Sequence, residues 1–197
     1  MTAETVREPR TVTRKQIAIL MLAVAASASC ARTTRYVNGN SDFATVKTVA
    51  TLPFENLTMD KLAGERLSKI FLIELRALEA FQLVAPGEVT RALRSTGIDP
   101  ASLATEDVKR IGQTLHAQAI FVGTVVEYDE GRGGGTPMPQ VTLQFRLIDT
   151  QSATTLWSVS RTSSGATVTA RLFGLGGKTA SVVAQEMIQE ELKRLVH

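Results

Sequence analysis

Ala119-Ile120-Phe121-Val122-Gly123-Thr124-Val125-Val126 is a near-continuous apolar run, and it restricts the fold more than any other segment. Such a run is expected of a central β-strand covered on both faces. The next strand has a different pattern. Val141, Leu143, Phe145 and Leu147 alternate strictly with Thr142, Gln144 and Arg146, the period of a strand with one wet face. A polar turn from Asp149 to Thr154 leads into Thr155-Leu156-Trp157-Ser158-Val159, which completes a hairpin.

The flanking segments supply the covering helices. Val46 to Phe54 is a β-rich run stopped at Pro53, the look of a buried first strand. After the cap-type residues Asn56, Thr58 and Asp60, the residues Leu67, Ile70, Phe71, Leu75 and Leu78 recur at threes and fours along a helix. Leu72 and Ile73 widen that stripe, so the helix is expected to be well covered. Phe81-Gln82-Leu83-Val84 reads as a short strand, and Pro86 and Gly97 bracket a brief helix, Glu88 to Thr96. Thr105 is placed to cap a third helix running to Leu115, with Val108, Ile111 and Leu115 inward. A last helix, Lys178 to Leu195, turns Ala180, Ala184, Met187, Ile188 and Leu195 to the core. The order is β-α-β-α-α-β-β-β-α: an α/β (α+β) domain with a mixed sheet covered by helices, spanning residues 42–197.

A chain of 197 residues with 44% hydrophobic residues has room for one such domain and can bury its core without staples. Its formal charge of +3 is uneven. Residues 1–29 hold four basic and two acidic residues, which leaves 18 against 17 in the remainder. With so little net charge and no basic cluster among interleaved aromatics, nucleic acid is not an expected partner.

Residues 1–29 read as a processing signal. A basic stretch, Arg10 to Lys15, precedes the apolar run Ile17 to Ala26, and the small residues Ser27-Ala28-Ser29 lead to Cys30. The run is too short to span a bilayer comfortably, which takes roughly 20 residues. Cys30 is the one cysteine of the chain, so an intrachain disulfide is impossible. Ordinary cleavage after Ala26 or Ala28, leaving a free cysteine, is the competing reading. Residues 31–41 are polar, contain Asn-Gly and lack periodicity. They are expected to form a short tether of roughly 35–40 Å at full extension.

Ser27-Ala28-Ser29-Cys30 resembles the bacterial lipobox, with Ser27 where Leu or Val is customary. That resemblance implies that Cys30 carries a diacylglycerol and becomes the first residue of a lipid-anchored protein. Two or three acyl chains anchor stably, whereas one is marginal. Ala31 is not the Asp that resembles an inner-membrane retention signal, which implies the periplasmic face of the outer membrane.

A second resemblance covers most of residues 44–197. Val49-Ala50-Thr51-Leu52-Pro53-Phe54-Glu55-Asn56, Phe81-Gln82-Leu83-Val84, Ile120-Phe121-Val122-Gly123-Thr124-Val125 and Leu147-Ile148-Asp149 with Leu156-Trp157-Ser158 are similar to phrases of one periplasmic domain family. It is the family of the curli-secretion lipoprotein CsgG and the penicillin-binding-protein activator LpoB. The resemblance implies a non-enzymatic assembly or accessory module in the envelope, with homo-oligomers and secretion components as partners. The alternative it implies is a regulator of a peptidoglycan synthase. CsgG-like channels insert two long hairpins per subunit. The candidate places here, Tyr128 to Gln140 and Ser163 to Gly177, are shorter than the twenty-odd residues a spanning hairpin needs.

Material for catalysis is scarce. The histidines are His116 and His197, and His116 at a helix end reads as a cap favourable to the helix dipole. Gly131-Arg132-Gly133-Gly134-Gly135 is followed by a strand rather than a helix, which suits a hairpin tip and not a phosphate loop. Glu127, Asp129 and Glu130 read as a solvated strand end, and Glu186, Glu190 and Glu191 as a solvated helix face. No catalytic residue, metal or cofactor is expected. The remaining surface candidate is Leu172, Phe173 and Leu175 in a glycine-containing loop, as a contact to lipid or to a neighbouring subunit.

Overall fold

The apolar run lies within an eleven-residue strand, Ala119–Asp129, in the interior of the sheet. The computed structural model describes residues 32–39, 45–131, 139–165 and 178–196. In chain order its elements are β1 (Arg32–Val37), β2 (Thr48–Thr51), β3 (Glu55–Asn56), α1 (Ala63–Ala77), β4 (Gln82–Leu83) and α2 (Pro86–Thr96). They continue with α3 (Thr105–Leu115), β5 (Ala119–Asp129), β6 (Gln140–Asp149), β7 (Thr155–Ser164) and α4 (Ala180–Val196). The sheet runs β1-β7-β6-β5-β2-β4, with β3 also on β5. Pairings from β1 through β5 are antiparallel, while β2, β3 and β4 pair in parallel, so the sheet is mixed.

β5 is covered on both faces, as its composition requires. Ala119, Phe121 and Val125 join Leu67, Phe71 and Leu75 of α1 and Ala184, Met187 and Ile188 of α4 in one core. Ile120 and Val122 join Val89 and Leu93 of α2 and Val108 and Ile111 of α3 in the other. Val141, Leu143, Phe145 and Leu147 of β6 are all buried on the first side. Phe71 is the hub of that side, with ring centroids 5.3 Å from Phe54, 5.2 Å from Phe121 and 5.1 Å from Phe145. Edge and tilted pairs of this kind add about 0.5–1.5 kcal/mol each beyond the area they bury.

The first strand is interrupted. Leu52 still donates to the Phe121 carbonyl at 2.9 Å, but Pro53 has no N–H to give. Pairing resumes as β3, opposite Thr124 and Val125. The kink swings Phe54 inward across Gly123, where a Cβ would stand 2.5 Å from the Phe54 ring. Gly123 is thus the space the ring occupies. α2 begins at Pro86 and closes on Gly97 at φ 67°. α3 differs from expectation, since its N-cap is Ala104 rather than Thr105. The Asp107 carboxylate accepts the Ala104 N–H at 3.1 Å and closes the turn from within.

Two further readings are corrected. Arg32–Val37, expected within a tether, is a strand in register with Val159–Thr162 and its neighbours on β7. Its six side chains are all exposed, so no hydrophobic alternation betrays it. Ile73 is 66% exposed, not covered, because it falls outside the packed face of α1 marked by Ala63, Leu67, Phe71 and Leu75. The signal segment, Cys30 and residues 166–177 lie outside the described residues.

Gly123→Ala is expected to destabilise the domain by about 1–3 kcal/mol, the usual cost of overpacking a filled core. A lower urea midpoint at unchanged slope is the outcome that checks it.

Candidate functional site

Register defines two ends of the sheet. Arg32 stands opposite Thr162, Thr162 opposite Thr142, and Thr142 opposite Glu127. At this end β1 and β6 begin, β5 and β7 finish, and Leu57 donates to the Val125 carbonyl at 2.9 Å. The Ala180 N–H at the start of α4 reaches Glu130 here, at 3.4 Å. The first residue of β1 therefore stands at the end of the sheet where β5 and β7 finish and β6 begins.

Tyr128 organises this end. Arg66 of α1 donates to its hydroxyl at 3.1 Å, with the guanidinium 5.5 Å from the ring centroid. The hydroxyl also lies 2.8 Å from Ser181 of α4 and 3.2 Å from Glu130. Arg66 reaches Asp60 as well, at 3.2 Å. One buried ring thus ties α1, α4 and β5 together. Sequence reading missed this set, because Asp60, Arg66, Tyr128 and Ser181 share no local spacing.

Asp60 belongs to a closed turn. Its side chain accepts the Leu62 N–H at 2.9 Å, and its carbonyl accepts the Ala63 N–H at 3.0 Å and the Asn56 side chain at 2.7 Å. Asn56 in turn accepts both the N–H and the hydroxyl of Thr58. The Leu62 N–H, and after it the Arg66 charge, hold the Asp60 carboxyl below its ordinary value of 3.8.

The acidic groups divide. Glu127 accepts from Gln140 at 2.9 Å and Thr142 at 3.1 Å, and Asp129 accepts the Gly131 N–H at 2.8 Å. These contacts occupy the strand end within the hairpin. Among the described residues no group of three or more His, Cys, Asp or Glu is placed to hold a metal ion. Glu191, read as solvated, is buried instead, its side chain 1% exposed. It accepts Arg35 of β1 at 2.6 Å, Arg161 of β7 at 2.9 Å and Arg194 at 3.4 Å. Arg161 also binds Glu190 at 2.7 Å.

At the opposite end a cavity of about 670 Å³ opens beside His116, Lys109, Gln113 and Gln118. Part of its polar wall is already engaged. Gln118 accepts the N–H groups of Lys47 and Thr48, and Thr150 donates to the Ala117 carbonyl at 2.6 Å. His116 is the C-cap of α3 at φ 50°, as its position at the helix end implied. The expected contact residues Leu172, Phe173 and Leu175, like Cys30, lie outside the described residues.

Two outcomes follow from these contacts. Glu191→Ala leaves the buried Arg161 with Glu190 alone and is expected to cost less than the roughly 3–5 kcal/mol of a wholly unpaired buried charge. Arg35→Ala, at a more exposed partner, is expected to cost less; urea unfolding of both variants checks the order. Because the Asp60 carboxyl is held low in the folded state, its stabilising contribution is present above pH 3.8 and is lost as pH falls through the depressed value. In a carboxyl NMR titration, Arg66→Ala is expected to raise the Asp60 midpoint only partly, since the Leu62 N–H is the larger cause.

No protein-family model matches the sequence, and no curated protein matches it. Solved structures do. A PelC dodecamer from Paraburkholderia phytofirmans is similar at 22% identity and a TM-score of 0.56, over 85% of this chain and 98% of that one. Lipoprotein GNA1162 from Neisseria meningitidis is similar at 13% identity and a TM-score of 0.54, over 76% of this chain and 97% of that one. The LpoB C-terminal domain from Escherichia coli is similar at 19% identity and a TM-score of 0.46, over 62% of this chain and 86% of that one. At such identities the likeness is one of architecture, and the chain shares the mixed α/β fold of PelC and of lipoprotein GNA1162.

Proposed function

We propose that the chain is an outer-membrane lipoprotein, held on the periplasmic face through Cys30, that works as a non-enzymatic assembly subunit of the cell envelope. The observation that carries this reading is the extent of the match to PelC. The chain covers 98% of that protein, and that protein is a dodecamer. Fold alone does not carry function, so the assembly itself is the property to measure.

The site chemistry agrees with work by contact. Several charged groups at the ends of the sheet, Arg66, Asp60, Glu127 and Asp129 among them, are engaged in ion pairs and turns that join elements to each other. Regulation of a peptidoglycan synthase, the alternative, calls for reach. β1 begins at Arg32, so only Ala31 separates Cys30 from the folded domain. A synthase would have to come to this protein rather than the reverse.

Detergent-extracted mature protein is expected to give one discrete oligomer of many subunits by light scattering. A monomer that retains a synthase on co-purification would replace the assembly reading with the regulatory one. Mass spectrometry is expected to find an acylated amino-terminal Cys30, and Cys30→Ala is expected to release the protein from membranes. An unmodified terminus at Ser27 or Ser29 would remove the anchor from the reading.

A further inference from the structure

The turn between β3 and α1 is built inside out. Its polar side chains Asn56, Thr58 and Asp60 are half-buried and hydrogen-bonded within the turn. Asn56 bonds Asp60 and Thr58, and Asp60 bonds Leu62 and Arg66. Its apolar side chains face outward, with Leu57 60%, Met59 99% and Leu62 59% exposed. Three such side chains on one six-residue turn, with Thr58 and Asp60 half-buried and engaged, form a preorganised apolar projection that Lys61 accompanies into solvent. Scattered exposed apolar residues need no explanation, but a turn that spends its hydrogen bonds on holding three of them outward does.

We infer that Leu57, Met59 and Leu62 seat on the lipid bilayer, as a second footing beside the acyl anchor. The inference rests on the lipoprotein reading of Cys30. Connectivity and register then choose the occupant. Two Cα–Cα steps separate Cys30 from Arg32, roughly 7–8 Å at most. Arg32 is level with Glu127 across the sheet, and Leu57 is bonded to Val125, one register step away along β6. From β1 through β7, β6 and β5 to β3 is four strand spacings, roughly 19 Å. An anchor at Cys30 therefore brings the turn to the membrane surface at a second point on the same end. The turn's charges suit that surface. Lys61 is exposed, while Asp60 is paired with Arg66, so the free charge is the one that anionic headgroups attract.

The test uses the acylated protein in vesicles of phosphatidylethanolamine and phosphatidylglycerol. A thioether at Cys30 blocks the one native thiol, so an introduced cysteine takes an environment-sensitive fluorophore alone. The label is placed at Met59→Cys, where a fully exposed side chain puts folding at no risk, and at Gln151→Cys in the β6–β7 turn as the distant control. At position 59 emission is expected to shift to the blue on vesicles, with quenching by spin-labelled lipid several-fold greater than at 151. Water-like emission at 59 from protein whose Cys30 is acylated by mass spectrometry would overturn the inference and leave the anchor standing. A shift at 59 that grows with protein density, without lipid quenching, would show a second copy on the turn and would also overturn it. An unmodified Cys30 would overturn the anchor and, with it, the inference.

Discussion

A single carboxylate fixes how the chain enters the domain. Glu191 has been taken out of water near the end of the last helix, and a buried carboxylate must be met by cations and hydrogen bonds. Arg161 comes from β7 beneath it, Arg194 from the next turn of its own helix, and Arg35 from β1. Without Arg35, β1 would be an edge strand with six exposed side chains and little but its ladder to hold it. Such a group contributes less net stability than an apolar residue of the same size. What it supplies instead is register: β1 can dock in one position only, the one that brings Arg35 to Glu191.

The other half of the architecture rests on aromatic packing. Phe54 crosses over Gly123 because Pro53 ends β2 one step early, and the displaced ring then meets Phe71 and Phe145. That displacement also sets the height at which β3 resumes, and so the level of the Leu57–Leu62 turn. The turn is held in place by Tyr128 through Arg66. Core packing and the outward projection of the apolar turn are parts of one chain of contacts, from Gly123 to Met59.

What the sequence made legible was local. β5, the β6–β7 hairpin and the helix from Thr105 to Leu115 follow from periodicities of two and 3.6 and from proline and glycine at the ends. What it hid was distant. Glu191 looks like any charge on a helix face until Arg35, 156 positions away, is brought beside it. β1 looked like a tether because all six of its residues stay exposed and no apolar alternation marks it. Tyr128 gave no sign of being a hub, since two of its three polar neighbours, Arg66 and Ser181, come from distant helices and the third, Glu130, lies two residues on. Ile73 was misplaced for a simpler reason: two apolar residues beside a stripe do not both fit its width. Cys30 and the Leu172–Leu175 segment are read from sequence alone.

The single residue between Cys30 and β1 has a consequence for how copies meet. In the proposed arrangement the domain cannot tumble on a leash, so each copy shares one plane and one tilt with its neighbours. Free association in solution forfeits translational and rotational freedom worth about 4–15 kcal/mol. Here much of that freedom is surrendered at anchoring, before two copies touch. Lateral contacts too weak to hold a dimer in solution would then suffice to close a ring, and the population of rings would follow surface density in the leaflet rather than bulk concentration.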